Sequence, residues 1–143
     1  MPQMVFINLP VADVARATQF YKAIGCTQDT RFSGPHASSM QLSDTIVFML
    51  LAPDFFQGFT PRKIADAREV TEVLVALNRE SRAAVDAIVA AAAAAGGRAD
   101  PRAPQDMGFM YSRAFEDPDG HIFEPFFMDE AAAAAAMAQP AGG

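Results

Sequence analysis

The stretch Phe115-Glu116-Asp117-Pro118-Asp119-Gly120-His121-Ile122-Phe123-Glu124 decides the fold. It reads as strand, tight turn, strand. Pro118 presets φ at the first corner, Asp119 tolerates turn geometry, and Gly120 supplies a position with φ > 0. Alternation along the returning strand puts Ile122, Glu124, Phe126 and Met128 on one face and His121, Phe123, Pro125 and Phe127 on the other. Glu124 therefore stands among apolar neighbours, where a carboxylate is costly unless it has a partner.

The hairpin's first strand is expected to reach back over about Phe109–Phe115, and upstream of it the spacing predicts one more, short strand near Arg98–Ala103. Before them comes a helix over Ser81–Ala95, capped by Asn78 or Ser81 and stopped by Gly96-Gly97. A strand over Val70–Leu77 precedes the helix, with Glu72, Leu74 and Ala76 on one face and Val73, Val75 and Leu77 on the other. The first half of the chain follows the same plan. Met4 to Val11 is a strand with Val5, Ile7, Leu9 and Val11 on one face and Phe6, Asn8 and Pro10 on the other. Asp13 caps a helix to about Ile24, with Val14, Ala17, Phe20, Tyr21 and Ile24 on one stripe and Gly25 as its stop. Strands over Thr27–Phe32, His36–Leu42 and Thr45–Leu51 follow, turned by Gly34-Pro35 and Ser43-Asp44. Strand-helix-strand-strand-strand thus occurs twice, roughly 65–70 residues apart, an internal repeat of pattern more than of letters. The chain reads as a single α+β domain: module one over 4–52, a connector over 53–68, module two over 69–128 and a tail over 129–143. The connector's Phe55, Phe56 and Phe59 either pack that loop onto the core or close over a pocket. The tail's Ala131–Ala136 run would continue a helix begun by Asp129 and Glu130, fraying at Pro140-Ala141-Gly142-Gly143.

The totals exclude several classes of function. A net charge of −6 over 143 residues argues against nucleic acid or an anionic membrane as partner. No stretch is long and apolar enough to span a bilayer, and Met1-Pro2-Gln3 opens no signal peptide. Cys26, the single cysteine, reads as a small buried hydrophobe and suits a reducing cytoplasm. His36 and His121 lie far apart and form no metal site between them; His121 is expected to face outward as a turn residue. No phosphate loop, dinucleotide fingerprint or Ser-His-Asp set is present.

The doubled module, Asn8-Leu9-Pro10-Val11-Ala12-Asp13 leading into the first helix, Phe20-Tyr21-Lys22 within it, and Asp117-Pro118-Asp119-Gly120 four residues before Glu124 together resemble the vicinal oxygen chelate superfamily. That superfamily includes glyoxalase I, extradiol dioxygenases, fosfomycin-resistance enzymes and bleomycin-resistance proteins. The resemblance covers about Met4 to Met128. It implies two βαβββ modules forming an eight-stranded cup with helices outside, and a homodimer, since cups in the family often form across subunits. In the metal-dependent relatives four inward side chains hold a divalent ion. Carried over one at a time, these positions fall on Phe6, on Phe48 or Met49, on Glu72 if the strand aligns without a gap, and on Glu124. Two of them cannot coordinate a hard metal, so the implied metal site is degenerate. Glu72 and Glu124 could still hold a weak divalent ion, or could work without metal as a coupled acid–base pair. Alternatively Glu124 pairs with an arginine, for which Arg113 is the candidate.

Phe6, Asn8, Phe48, Met49, Tyr111 (or Ser112), Arg113 and Phe126 are the expected ligand-lining residues, with Glu124 and Glu72 the expected catalytic pair. The expected function is binding of a small, partly apolar molecule in the cup with no cofactor. The alternative is a glyoxalase I-like lyase or isomerase using the two glutamates as metal ligands or general base.

Overall fold

Apolar residues at every second position need one covered face, and both halves of this chain obtain it from a helix laid across a four-strand pattern. The computed structural model describes residues 2–138. In module one, β1 (Val5–Pro10), β2 (Thr27–Gly34), β3 (Ala37–Gln41) and β4 (Ile46–Leu51) form a sheet in the order β1-β4-β3-β2, with β1 and β4 parallel. Helix α1 (Val14–Ala23) is the crossover between β1 and β2. The Asp13 carboxylate accepts the Arg16 N–H at its start, and Gly25 turns the chain out at φ 111°. Its buried stripe is the expected one: Ala17, Phe20, Tyr21 and Ile24.

Module two repeats the plan. Strand β5 (Leu74–Asn78) pairs in parallel with β10 (Ile122–Met128), and α3 (Arg82–Ala94) crosses between, capped by Ser81. The two strands expected between α3 and the turn at Pro118 are each divided. One becomes β6 (Arg98–Ala99) and β7 (Gln105–Asp106), the other β8 (Met110–Ser112) and β9 (Phe115–Glu116). Pro101 and Pro104 break the first, aided by Asp100 at φ 53°. The second break lies beside Pro125, which lacks the N–H a continuous ladder needs; one bond from Arg113 N–H to the Pro125 carbonyl spans it.

Two element boundaries differ from the sequence reading. The connector holds a short helix, α2 (Pro53–Gln57), started by Pro53 and Asp54. The fifth strand begins at Leu74 rather than Val70, so Glu72 lies in irregular chain. Of the connector aromatics, Phe55 and Phe59 pack edge-on against each other on the surface, ring centroids 5.4 Å apart. The tail helix α4 (Glu130–Ala138) forms as expected; the fraying assigned to 140–143 lies outside the described residues.

The two modules share one core. Phe48 on β4 and Phe123 on β10 meet with ring centroids 5.5 Å apart, Tyr21 of α1 touches both, and Phe115 stacks on Phe123 at 5.2 Å. Both sheets therefore turn their helix-bearing faces toward a common aromatic centre. A polar clamp reinforces it. The Tyr21 hydroxyl donates to buried Asp117 at 2.8 Å, whose other oxygen accepts the Asp119 and His121 N–H groups. Asp119 accepts the Ala12 N–H, and the His121 ring nitrogen Nε2 lies 2.8 Å from the Pro10 carbonyl oxygen. The turn of module two thus grips the end of β1. This is an α+β fold of two βαβββ units, each sheet curled as half of a cup with its helix on one side.

Candidate functional site

Strand register settles which side chains face the cup, the side of each sheet away from its helix. In module one, Ile7, Phe48, Met40 and Leu50 share the helix side and are packed in the core; Phe6, Asn8 and Met49 lie on the cup side. In module two Phe123 and Pro125 are buried on the helix side, leaving Glu124 and Phe126 on the cup side with Ser112 opposite Phe126. Five of the expected positions, Phe6, Asn8, Met49, Glu124 and Phe126, thus occupy cup faces.

Four do not. Phe48 is fully buried beside Tyr21 and Phe123, one residue out of phase with the cup. Tyr111 lies opposite Phe127 and its hydroxyl donates to Asp86 on α3 at 2.6 Å. Arg113 shares that face and binds Asp86 and Asp100, at 2.9 and 2.7 Å, on the helix side; these carboxylates raise its pKa while their own are lowered, chiefly by hydrogen bonds to Arg113 and Tyr111. Glu72 is exposed, two residues before β5 begins. The helix caps Asp13 and Ser81 stand 68 residues apart, so the internal counterpart of Phe6 is Leu74, and Glu72 matches Met4. Directly across from Glu124 on β5 is Ala76. The expected pairing of Glu72 with Glu124 is therefore replaced by a different partnership. Asn8 is exposed, so it carries no burial penalty that would demand a partner.

Glu124 pairs with Arg102, not with Arg113. Its Oε2 accepts from Arg102 Nε at 3.1 Å and Nη2 at 3.0 Å; the same Nη2 donates to Ser112 Oγ at 2.8 Å, and Nη1 donates to the Ala103 carbonyl at 3.1 Å. The two side chains are 30% and 23% exposed, enough to meet a ligand and too little for water to screen the pair fully. Arg102 was not legible as a site residue. It sits in Pro101-Arg102-Ala103-Pro104, a segment without period, and only the fold brings it under β10. The Tyr21–Asp117 bond was missed too, although a phenol on a buried helix stripe needs an acceptor and so marks one.

The residues present do not fit the family's divalent ion. Phe6 and Met49 offer no hard donor, Glu124 is neutralised by a guanidinium, and no cluster of three His, Cys, Asp or Glu side chains suited to a metal occurs among the described residues.

Comparison with known proteins agrees with this architecture. Residues 3–28 match the family described as bleomycin resistance protein-like N-terminal. Among solved structures, a hypothetical protein SA1046 from S. aureus is 28% identical with a TM-score of 0.74, over 89% of this chain and 95% of that one. A glyoxalase/bleomycin resistance protein/dioxygenase family enzyme from Burkholderia phytofirmans PsJN is 17% identical with a TM-score of 0.72, over 89% and 99%. The fosfomycin resistance protein FosX from Mesorhizobium loti is 17% identical with a TM-score of 0.62, over 94% and 96%. No curated protein sequence matches significantly. Among the described residues no helix is long and apolar enough to cross a membrane.

Proposed function

We propose that the chain, which shares the fold of the vicinal oxygen chelate superfamily, is a member of it and binds a small, partly apolar molecule on its cup faces without a metal ion. The observation that carries this reading is the Arg102–Glu124 pair. A carboxylate at the superfamily's metal-ligand position is already matched by a cation, which itself donates to Ser112. Around it the cup faces offer Phe126, Met49 and Phe6, apolar and, for Met, adaptable surface. The unshared Oε1 of Glu124 supplies a polar anchor for a ligand bearing a donor. The lyase alternative needed Glu72 beside Glu124, and that support is gone.

A second copy of the chain completes the cup. Phe6 and Leu74, on the cup faces of the first strands, are each more than half exposed. The buried thiol of Cys26 is compatible with a reducing cytoplasm. The test is a thermal-shift screen of small aromatic and aliphatic compounds on metal-depleted protein. A compound whose shift survives EDTA and is lost in Phe126→Ala supports the reading. Binding that needs an added divalent ion, or catalytic turnover abolished by Glu124→Gln, overturns it.

A further inference from the structure

A cavity of about 430 Å³ lies away from the Arg102–Glu124 pair, in the seam between the two modules. The free edge of β1 lines it with four consecutive residues, Ile7 to Pro10; β5 contributes Val75, Phe123 and Ile122 belong to β10, and the connector closes it from Phe56 to Val73. Consecutive residues of both parities line a hollow only where a strand presents its edge. In the parallel pairing of β1 with β4, the N–H groups of Val5 and Val11 bond toward β4. By alternation the N–H and C=O of Asn8 point the other way, off the sheet edge and toward this cavity. The seam therefore combines aliphatic walls, a strand edge with unspent backbone groups, and charge. Arg62 and Lys63 of the connector line it, and among the described residues neither side chain meets a carboxylate. Glu72 is the one carboxylate on the wall, and His121 is held by the Pro10 carbonyl. Two cations against one anion is a local reversal of a chain whose net charge is −6.

We propose that this seam cavity binds a small amphiphilic acid, a carboxylate on an apolar body, separately from any ligand of the cup. The apolar body lies against Ile7, Leu9 and Val75. The carboxylate takes the Asn8 N–H and the cationic side chains of Arg62 and Lys63. Its volume lies at the small end of ligand sites, about 300–1,000 Å³, so the occupant is a small molecule rather than a protein segment. Charge chooses the acid over a neutral amphiphile, since hydrogen bonds to an ionised group are roughly twice as strong as neutral ones.

The test uses the full chain with octanoate and 1-octanol as probes, by isothermal titration and by amide chemical-shift mapping. Octanoate is expected to bind, to perturb the amides of Ile7–Leu9 and of residues 62–75, and to weaken roughly ten-fold in the Arg62→Ala/Lys63→Ala variant while 1-octanol does not. Thr71→Trp, at an exposed connector position on the cavity wall, is expected to block octanoate with no loss of thermal stability. Equal binding of acid and alcohol, untouched by the charge variant, overturns the proposal. So does octanoate binding that maps to Glu124–Met128 and falls in Phe126→Ala, which would place the acid in the cup and leave the cup reading intact. Absence of octanoate binding at millimolar concentration also overturns it, and bears on the cup not at all.

Discussion

At the scale of single residues, the most consequential group is Asp117. It is 3% exposed, and burial lifts its pKa above the usual carboxylate value, with His121 and the Tyr21 hydroxyl opposing. The same pairing, after burial itself, drives the Tyr21 phenol well above its ordinary value. The folded state therefore holds the Asp117 proton more tightly than the unfolded chain does. Its contribution to stability is largest below about pH 3.9, the unfolded value, and declines as pH rises to the folded one. Asp86, Asp100 and Asp106 act oppositely: their lowered values, about 2 for Asp106, stabilise above the unfolded pKa and fade as pH falls. Subtracting the melting profile of Asp117→Asn from that of the wild type between pH 4 and 8 should isolate a term that falls with pH; a flat difference refutes the assignment. Tyr21→Phe should cost about 1–3 kcal/mol in urea denaturation, the worth of a hydrogen bond to a charged acceptor. Cys26, pushed by burial to about 12, should resist thiol reagents at pH 8 until the protein is unfolded. That inertness was readable from Gly25-Cys26 at a helix end. The Asp117 clamp was not, because its partners come from the other module.

Between elements, the turn that opened the reading performs as its residues require. Gly120 sits at φ 94°, and a Cβ there would also press within 3.0 Å of the Arg68 backbone nitrogen. Gly120→Ala should therefore destabilise the protein by about 1–2 kcal/mol or more, measured as a loss of melting temperature. Alternation on β10 held throughout, so Glu124 and Phe126 share one face of the strand. It failed where the strand boundary was misjudged: extending β5 back to Val70 put Glu72 into a ladder that begins only at Leu74. It also left Tyr111 against Ser112 undecided, since a three-residue strand beside a proline gives no period to count. Arg102 lay beyond reach for a related reason. A segment between two prolines takes its path from the sheet it crosses. Coupling between Arg102 and Glu124 should appear in a double-mutant cycle with alanine at about 0.5–2 kcal/mol; near-zero coupling would mean the pair is incidental.

For the whole molecule, the doubled plan was legible because each half carries its own cap, stripe and glycine stop. How the halves meet was not, because nothing local records that Phe48 and Phe123 face each other. Sedimentation should find a dimer, and Phe6→Lys, which sets a charge on the cup face of β1, should shift it toward monomer with little change in the monomer's circular dichroism. A wild-type chain that sediments as a monomer at tens of micromolar would refute the completed-cup proposal. The grip of Asp119 and His121 on Ala12 and Pro10 carries a further implication. Although the architecture is a duplication, neither copy is any longer a self-sufficient unit. Cut within the connector, each fragment would lose half of the ring cluster and the bonds that latch it, so the two should accumulate in soluble form only when produced together.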